Sequence, residues 1–150
     1  MIITFCGHAD TQLSSTERAT LIRWLRQHLS VAPDCEFYLG GYGAFDELCR
    51  YELDKLRTDF PLLRTVFVTP YLDPAYAKLK HERTRYDAIV YPPIEHTPKR
   101  LAILIRNRWM VDQADALIAC VRHGWGGAAQ TLSYAHAKAI PIQNLAPYCL

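Results

Sequence analysis

The seven glycines of this sequence fall in only three places, and each place lies between an apolar run and a stretch with helical spacing. They are Gly7; Gly40, Gly41 and Gly43; and Gly124, Gly126 and Gly127. A glycine turn that connects a strand to a helix lets backbone N–H groups approach a phosphate or a sugar. Such a turn can equally be a tight reversal of the chain and nothing more. Both interpretations stay open for all three places.

Polar and aromatic side chains stand beside these glycines. Asp46 lies in the first turn of a predicted helix, where it binds a ribose hydroxyl or simply complements the positive end of the helix dipole. Trp125 stands within the third glycine group and is placed to stack a base. His8 and His123 each follow a predicted strand, which favours polar contact with a ligand. A metal would need a third ligand beside them, and none is evident, so no metal site is predicted.

The turn at 40–47 differs from the two best-known phosphate-binding motifs. It has no lysine followed by serine or threonine, so it is not a P-loop. Phe45 and Asp46 stand where the third glycine of G-x-G-x-x-G would fall, so it is not the dinucleotide fingerprint either. The role of this turn therefore depends on its place in the fold.

Composition limits the classes of protein to which the chain can belong. Its 150 residues match one domain of ordinary size, predicted to span 1–150. Hydrophobic residues make up 50%, charged residues 21%, and the net charge is only +2, which disfavours nucleic acid and anionic membranes as partners. The apolar start of the chain is too short for a signal peptide or a membrane span. Five cysteines without a C-x-x-C pair indicate reduced core thiols, so we expect a cytoplasmic protein.

Short apolar runs alternate with helical patterns along the chain. Six runs rich in Ile, Val, Phe and Tyr predict strands buried on both faces, at 1–6, 35–39, 64–69, 88–91, 116–121 and 141–145. Four helical patterns lie at 16–29, 45–56, 98–113 and 128–138, with a shorter helical turn at 74–80. Ser15 or Thr16 is the predicted N-cap of the first helix. The alternation predicts an α/β, Rossmann-like, doubly wound and mostly parallel sheet with helices on both faces, in which the three glycine turns share one edge.

The C-terminal half resembles the SLOG superfamily, which includes YpsA-like proteins, DprA-like proteins and the LONELY GUY enzymes that release cytokinin bases. The matching pattern is an arginine four residues before a methionine, an Asp-Ala pair entering a strand, and a Gly-Gly turn that opens an Ala-rich helix. These positions are Arg106, Met110, Asp115, Ala116, Gly126 and Gly127. The N-terminal half is similar to the YpsA-like branch, with the following residues in order: Gly7, His8, Gly40, Gly41, Phe45, Asp46, Thr69, Pro70 and Tyr71.

The resemblance implies a Rossmann-like fold whose strand-end loops hold a nucleotide-derived ligand. It also implies that Arg106, which matches an arginine near the substrate of the enzyme branch, clamps a phosphate. The alternative for Arg106 is an exposed helix charge. In LONELY GUY enzymes a catalytic glutamate follows the Gly-Gly turn, whereas 128–133 contains no carboxylate here. Glu47 has a similar offset after the second strand, which we interpret as coincidence.

Two functions from different classes follow from these features. The first, which the missing carboxylate favours, is a sensor or carrier that binds a nucleotide or a nucleotide-derived small molecule. Its predicted ligand-binding residues are Gly7, His8, Gly40, Gly41, Gly43, Asp46, Arg106, Trp125, Gly126 and Gly127. The second is a nucleotide-processing enzyme, an N-glycosidic or phosphoester hydrolase such as a LONELY GUY-like phosphoribohydrolase.

The acids nearest the glycine turns bear on the choice between these functions. Asp46 and Glu47 stand at a helix N-terminus, which is expected to keep both ionised. An ionised pair suits gripping a ribose and does not suit donating a proton. No cofactor and no membrane partner is predicted, DNA binding by analogy with DprA-like proteins is disfavoured by the charge, and a homodimer stays open.

Overall fold

The computed structural model describes residues 1–73, 76 and 85–146 of the chain. Within these residues there are six strands and four α-helices. In chain order they are β1 (Ile2–Gly7), α1 (Ser15–Val31), β2 (Glu36–Leu39), α2 (Ala44–Leu56), β3 (Arg64–Val68), β4 (Ala88–Val90), α3 (Ala102–Gln113), β5 (Ala116–Cys120), α4 (Gly127–Ala137) and β6 (Ile142–Asn144). All six predicted strands and the four longer helices are present, and a 3-10 turn, Lys99–Leu101, replaces the predicted first turn of α3. The predicted helical turn at 74–80 lies, apart from Tyr76, outside the described residues.

The six strands form one parallel sheet in the order β4-β3-β2-β1-β5-β6. From β1 the chain moves outward through β2, β3 and β4, and then crosses back to place β5 and β6 on the other side of β1. The change of direction falls between β1 and β5. This is a doubly wound, Rossmann-like α/β topology, so the predicted fold class is confirmed. In such sheets a crevice forms beside the carboxyl ends of the strands at the change of direction.

Helices cover both faces of the sheet, because successive side chains of a strand point to opposite sides. α1 and α2 pack on one face, where Phe45 joins Phe5 of β1 in the core. α3 and α4 pack on the other face, where Val111 and Leu132 join Leu117 of β5. Every residue of β5 is buried, which explains why this strand is a continuous apolar run in the sequence.

The start of α1 lies one residue earlier than the sequence indicated. Its N-cap is Ser14, where Ser15 or Thr16 was predicted. The reason is a capping box, in which the Ser14 hydroxyl accepts a hydrogen bond from the Glu17 N–H at 3.1 Å and the Glu17 carboxylate accepts one from the Ser14 N–H at 2.9 Å. Glu17 also receives two hydrogen bonds from the Arg122 guanidinium, both at 3.0 Å. This contact ties α1 to the loop that follows β5.

An ion pair with a buried carboxylate connects α1 to α2. Glu52 is almost fully buried, and its carboxylate lies 2.8 Å from an Arg18 nitrogen and 3.3 Å from the Lys55 ammonium. A buried carboxylate needs such partners because burial of an unpaired charge is costly. The pair therefore fixes α2 against α1 while the opposite end of α2 faces the sheet edge described next.

Candidate functional site

A cavity of about 370 Å³ opens at the carboxyl ends of β1, β2 and β5, where the sheet changes direction. Its walls come from the loops after these strands, from α3 and from the first turn of α4. Eight of the ten ligand-binding residues predicted from the sequence line it: Gly7, His8, Gly40, Asp46, Arg106, Trp125, Gly126 and Gly127. The structure thus brings residues from all three glycine places together at one site.

Gly41 and Gly43 are the two predicted residues that do not line the cavity. Both have positive φ angles, 64° and 90°, which residues with a side chain rarely adopt. A Cβ on Gly43 would also lie only 2.8 Å from the Cα of Ala9. These two glycines therefore serve the turn itself, as in the second interpretation that the sequence left open.

Two of the lining glycines are also places of close packing. A Cβ on Gly7 would lie 2.5 Å from the ring of Phe45, which the first turn of α2 presses against the end of β1. A Cβ on Gly40 would lie 3.0 Å from the guanidinium carbon of Arg106. The packing of the fold therefore favours glycine at positions 7 and 40, whether or not a ligand binds.

The N-terminus of α4 faces the cavity without a side-chain cap. The N-cap residue is Gly126, which has no side chain to accept a hydrogen bond from the helix. Gly127 and Ala128 follow it along the cavity wall. The first N–H groups of a helix have no partner within that helix, and the helix dipole places partial positive charge there. A Cβ built on Gly126 or Gly127 meets no atom within 4 Å. This end of the helix is therefore open to an anion.

Arg106 of α3 is buried at the floor of the cavity, with only 2% of its surface exposed. Its Nη1 donates to the carbonyl oxygens of Gly40 at 3.0 Å and Val68 at 2.8 Å, and its Nε donates to the side chain of Asn107 at 2.9 Å. Its Nη2 donates to none of the residues that the structure describes. The alternative of an exposed helix charge is wrong, because Arg106 is buried and joins the ends of β2 and β3.

Asp46 is the carboxylate in the cavity wall, buried except for 8% of its surface. Its Oδ2 accepts a hydrogen bond from the Gly40 N–H at 3.0 Å. Burial raises the pKa of Asp46 to about 6, against the opposing effects of the Arg106 charge and of the Gly40 and Tyr42 N–H groups. The expected ionised state is therefore retained only above about pH 6, because loss of hydration outweighs the helix dipole.

Glu47, the second acid of the same helical turn, does not line the cavity. Its carboxylate lies 3.2 Å from Arg50 and 3.0 Å from Arg85. The pairing directs it away from the site, consistent with the interpretation of its motif-like offset as coincidence.

Three aromatic rings form a continuous stack at the mouth of the cavity. The ring centroids of His8 and His123 lie 3.7 Å apart at an interplanar angle of 15°, and those of His123 and Trp125 lie 3.6 Å apart at 19°. All three residues line the cavity. Trp125 is 70% exposed. The two histidines that follow β1 and β5 thus meet each other, as their place after neighbouring strands predicted, and support the tryptophan.

The position of His8 indicates that its ring is neutral. Its Nε2 accepts a hydrogen bond from the Arg122 N–H at 3.0 Å, which places the ring proton on Nδ1. Burial, followed by the neighbouring His123, lowers the pKa of His8, while Asp10 acts in the opposite direction. A neutral His8 ring stacks on the His123 ring without charge repulsion, so the stack is compatible with pH 7.

Several residues that line the cavity belong to no recognisable sequence motif. Thr4 faces the cavity from the middle of β1, Asn107 orients Arg106, and Tyr42 and Ile103 stand at the mouth with exposed side chains. The signal for Thr4 was present, because a polar residue in an apolar strand needs a partner, and its hydroxyl donates to the Tyr38 carbonyl at 3.0 Å. Asn107, Tyr42 and Ile103 stand in helical or loop stretches whose sequence pattern does not distinguish them from ordinary solvent-exposed residues.

The chemistry of the remaining candidates is limited. Cys6 lines the cavity, but burial raises the pKa of its thiol far above the ordinary value, so it stays protonated. Cys6, Cys35, Cys49 and Cys120 are free and buried, in agreement with their prediction as core thiols. Within the described ranges, no three histidine, cysteine or acidic residues come close enough together to hold a metal ion.

Comparison with known proteins identifies the fold. No family model and no curated protein matches the sequence. The X-ray structure of the protein TM1055 is 14% identical, with a TM-score of 0.58, over 94% of this chain and 71% of that one. DNA processing protein A from Helicobacter pylori is 14% identical, with a TM-score of 0.62, over 96% of this chain and 64% of that one. DNA processing protein A (DprA) from Streptococcus pneumoniae is 11% identical, with a TM-score of 0.62, over 95% of this chain and 49% of that one.

These likenesses are consistent with the SLOG resemblance at the level of the fold, and they do not separate the YpsA-like branch from others. This chain spans less than two thirds of either DNA processing protein. The Helicobacter pylori structure is described by its single-stranded DNA binding mode. The prediction that nucleic acid is disfavoured as a partner is therefore wrong, because net charge averages over the whole surface and says nothing of a local site. Among the described residues, no helix has the length and apolar composition needed to cross a bilayer.

Proposed function

We propose that this chain binds a nucleotide or a nucleotide-derived small molecule in the cavity at the ends of β1, β2 and β5, and acts as a sensor or carrier. One observation supports this most strongly. The uncapped N-terminus of α4 and the buried Arg106 face the same cavity, and the Nη2 of Arg106 donates to none of the described residues. Helix N-terminal N–H groups and an arginine side chain are the two donor types that bind phosphate best in proteins.

The dimensions of the cavity suit a ligand of this class. Small-molecule sites have volumes of roughly 300–1,000 Å³ and combine apolar walls with a few polar groups. Here about 370 Å³ is bounded by Phe5, Met110 and Val111 on the apolar side and by Thr4 and Asn107 on the polar side. We place the phosphate at Gly127 and the sugar toward Asp46, whose carboxylate suits a ribose hydroxyl.

The finer assignments belong to the same proposal. We propose that the chain is a single domain of the SLOG superfamily, in its YpsA-like branch, and that it acts in the cytoplasm. The order of the sequence motifs and the fold of the neighbours support the superfamily. The buried free thiols support a reducing compartment. A strand of nucleic acid that presents one nucleotide to the cavity is a ligand of the same chemistry.

Calorimetric titration with adenosine 5′-monophosphate tests the proposal on a matched pair of variants. Gly127 has an ordinary φ and open space where a Cβ would stand, so Gly127→Ala and Gly127→Asp both fold, and an acid at the first helical residue complements the helix dipole. We expect Gly127→Ala, which adds a methyl group without charge, to change affinity far less than Gly127→Asp. Gly127→Asp should lose affinity by roughly tenfold or more, the effect of about 1.4 kcal/mol of charge repulsion. Equal affinity of all three proteins would show that no phosphate sits at α4.

A hydrolase that cleaves the N-glycosidic or the phosphoester bond of a nucleotide is the second candidate. The observation in its favour is Asp46, a cavity carboxyl group whose pKa of about 6 suits proton transfer near neutral pH. Chromatography of free base and free phosphate after incubation with adenosine 5′-monophosphate at pH 6 tests it. Release that Asp46→Asn abolishes while the nucleotide still binds would establish an enzyme. Binding without release supports the sensor or carrier.

A further inference from the structure

The three-ring stack stands out from the other aromatic contacts of the molecule. Its centroid separations of 3.7 and 3.6 Å are shorter than the 5.1 Å or more of every other ring pair within the described residues. Ordinary aromatic pairs in proteins lie about 4.5–7 Å apart, offset or edge to face. His8, His123 and Trp125 are instead layered face to face, in the manner of successive bases in a strand.

The Trp125 end of the stack is exposed, and Trp125 lines the cavity. His8 is covered on one side by His123, and His123 is covered on both sides, by His8 and by Trp125. The edge of His8 is also occupied, since its Nε2 accepts the Arg122 N–H. Trp125 is 70% exposed although it lines the cavity. A large aromatic side chain held in a fixed orientation with an uncovered face is a site for another flat ring.

A second exposed aromatic side chain stands on the opposite side of the mouth. Tyr42 is 64% exposed and lines the same cavity from the loop between β2 and α2. Trp125 comes from the loop between β5 and α4, and β1 lies between these two strands in the sheet. Aromatic side chains thus border the mouth on two sides. The N–H groups of α4 that are proposed to bind phosphate begin one residue after Trp125.

We infer that the stack of His8, His123 and Trp125 is a platform for an unpaired nucleobase, which lies on the free face of Trp125 while its phosphate sits at the N-terminus of α4. This inference rests on the proposed function and names the base end of that site. The platform offers a ring face and few free polar edges, so it recognises the flat surface of the base. A base in the interior of a duplex is stacked on both sides and has no free face to offer.

Two ligand sources share this chemistry, a free mononucleotide and the end of a single strand of nucleic acid. Base–aromatic stacking is sequence-tolerant and contributes to affinity in proteins that bind single strands. Both sources offer a phosphate joined to an unpaired base. The test therefore needs probes that separate base from phosphate, and single strand from free nucleotide.

The test compares adenosine 5′-monophosphate with ribose 5-phosphate by calorimetry, on the unmodified protein, Trp125→Ala and Trp125→Phe. We expect Trp125→Ala to weaken the nucleotide by roughly 5- to 150-fold, the range for loss of one base–aromatic stack, and to leave ribose 5-phosphate unchanged. Trp125→Phe, which keeps a ring, should retain most of the affinity. Tyr51→Ala is the matched control, since Tyr51 is an exposed aromatic residue of α2 that does not line the cavity.

A fluorescence readout separates stacking from a structural role of Trp125. In a Trp24→Phe, Trp109→Phe background Trp125 is the sole tryptophan, and the nucleotide should change its emission while ribose 5-phosphate does not. A 5′-phosphorylated single strand that binds more tightly than the nucleotide would identify a strand end as the source, and weaker binding would identify the free nucleotide. Equal binding of the matching duplex would overturn the platform.

The possible failures are distinguishable. If ribose 5-phosphate and the nucleotide bind the unmodified protein equally, or if Trp125→Ala weakens both by the same factor, the platform is wrong and the phosphate site stands. If neither probe binds the unmodified protein, the proposed function itself is wrong, and the platform with it.

Discussion

Asp46 and Arg106 hold the same residue, Gly40, from opposite sides. The Asp46 carboxylate accepts the Gly40 N–H at 3.0 Å, and the Arg106 Nη1 donates to the Gly40 carbonyl oxygen at 3.0 Å. One residue comes from α2 and the other from α3, so the two helices on opposite faces of the sheet are joined through the end of β2. The position of the loop that borders the cavity therefore depends on two buried charges.

Replacement of Asp46 should change how stability varies with pH. Because burial raises the pKa of Asp46 from 3.8 to about 6, the folded protein holds this proton more tightly than the unfolded chain. Its contribution to the unfolding free energy is therefore largest below pH 4 and falls by about 3 kcal/mol as the pH rises to 6. In Asp46→Asn, urea denaturation between pH 4 and 7 should lack this fall. Parallel pH profiles for the two proteins would refute the assignment.

Arg106 should contribute to stability far more than its neighbour on α3, Arg108. Arg106→Met removes the donor to two carbonyl oxygens at the ends of β2 and β3 and leaves them unsatisfied, at an expected cost of about 3 kcal/mol. Arg108 is exposed and makes one cation–π contact, 5.4 Å from the ring of Tyr134, so Arg108→Met should cost less than about 1 kcal/mol. Chemical denaturation measures both. A similar cost for the two variants would contradict the bracing role of Arg106.

Alanine should have different effects on stability at two glycines that line the cavity, Gly7 and Gly127. Gly7→Ala places a Cβ 2.5 Å from Cγ and Cδ2 of Phe45 and 2.6 Å from its Cβ, so the rigid ring must move, and we expect a loss of about 1–3 kcal/mol. Gly127→Ala meets no atom within 4 Å and should leave stability unchanged or raise it by up to about 1 kcal/mol. Thermal melting of both variants decides. Loss of stability in Gly127→Ala would mean that the α4 turn is packed rather than open.

Glu17 should stabilise the protein through two contacts at once. It completes the capping box with Ser14 and accepts two hydrogen bonds from Arg122. Hydrogen bonds from Arg122, and then from Ser14, lower the pKa of Glu17 to about 2, so its contribution is full above pH 4.5 and is lost as the pH falls toward 2. Glu17→Ala should therefore cost about 1–2 kcal/mol at pH 7 and much less at pH 2. An equal loss of stability at both pH values would show that the charge of Glu17 does not contribute to its stabilising effect.

The sequence carried enough information for the fold and for most of the lining of the site. Strands such as β5, buried on both faces, appear as continuous apolar runs, and glycine groups mark the turns that meet at the change of direction. The sequence did not separate Gly41 and Gly43, which only serve a turn, from Gly127, which borders the cavity, because a positive φ and an open wall favour the same residue. Gly126 combines both, since it has a φ of 90° and lines the cavity.

The electrostatics of the site could not be predicted in the same way. The pKa of Asp46 depends on burial by neighbours from other elements, which no local pattern records. Arg106 has helical spacing that suits an exposed charge, and only the sheet order places the Gly40 and Val68 carbonyl groups within its reach. The ring stack likewise depends on the pairing of β1 with β5, which brings His8 to His123 across more than a hundred residues.

The central claim is that a nucleotide occupies the cavity with its phosphate at the N-terminus of α4. Titration of ¹⁵N-labelled protein with adenosine 5′-monophosphate, followed by amide chemical shifts, tests it most directly. We predict saturable shifts that are largest at Gly127 and Ala128, with smaller ones at His8 and Gly40, and none on the outer face of α1 at Ile22. No shift at millimolar nucleotide, or shifts centred on α1, would contradict the account.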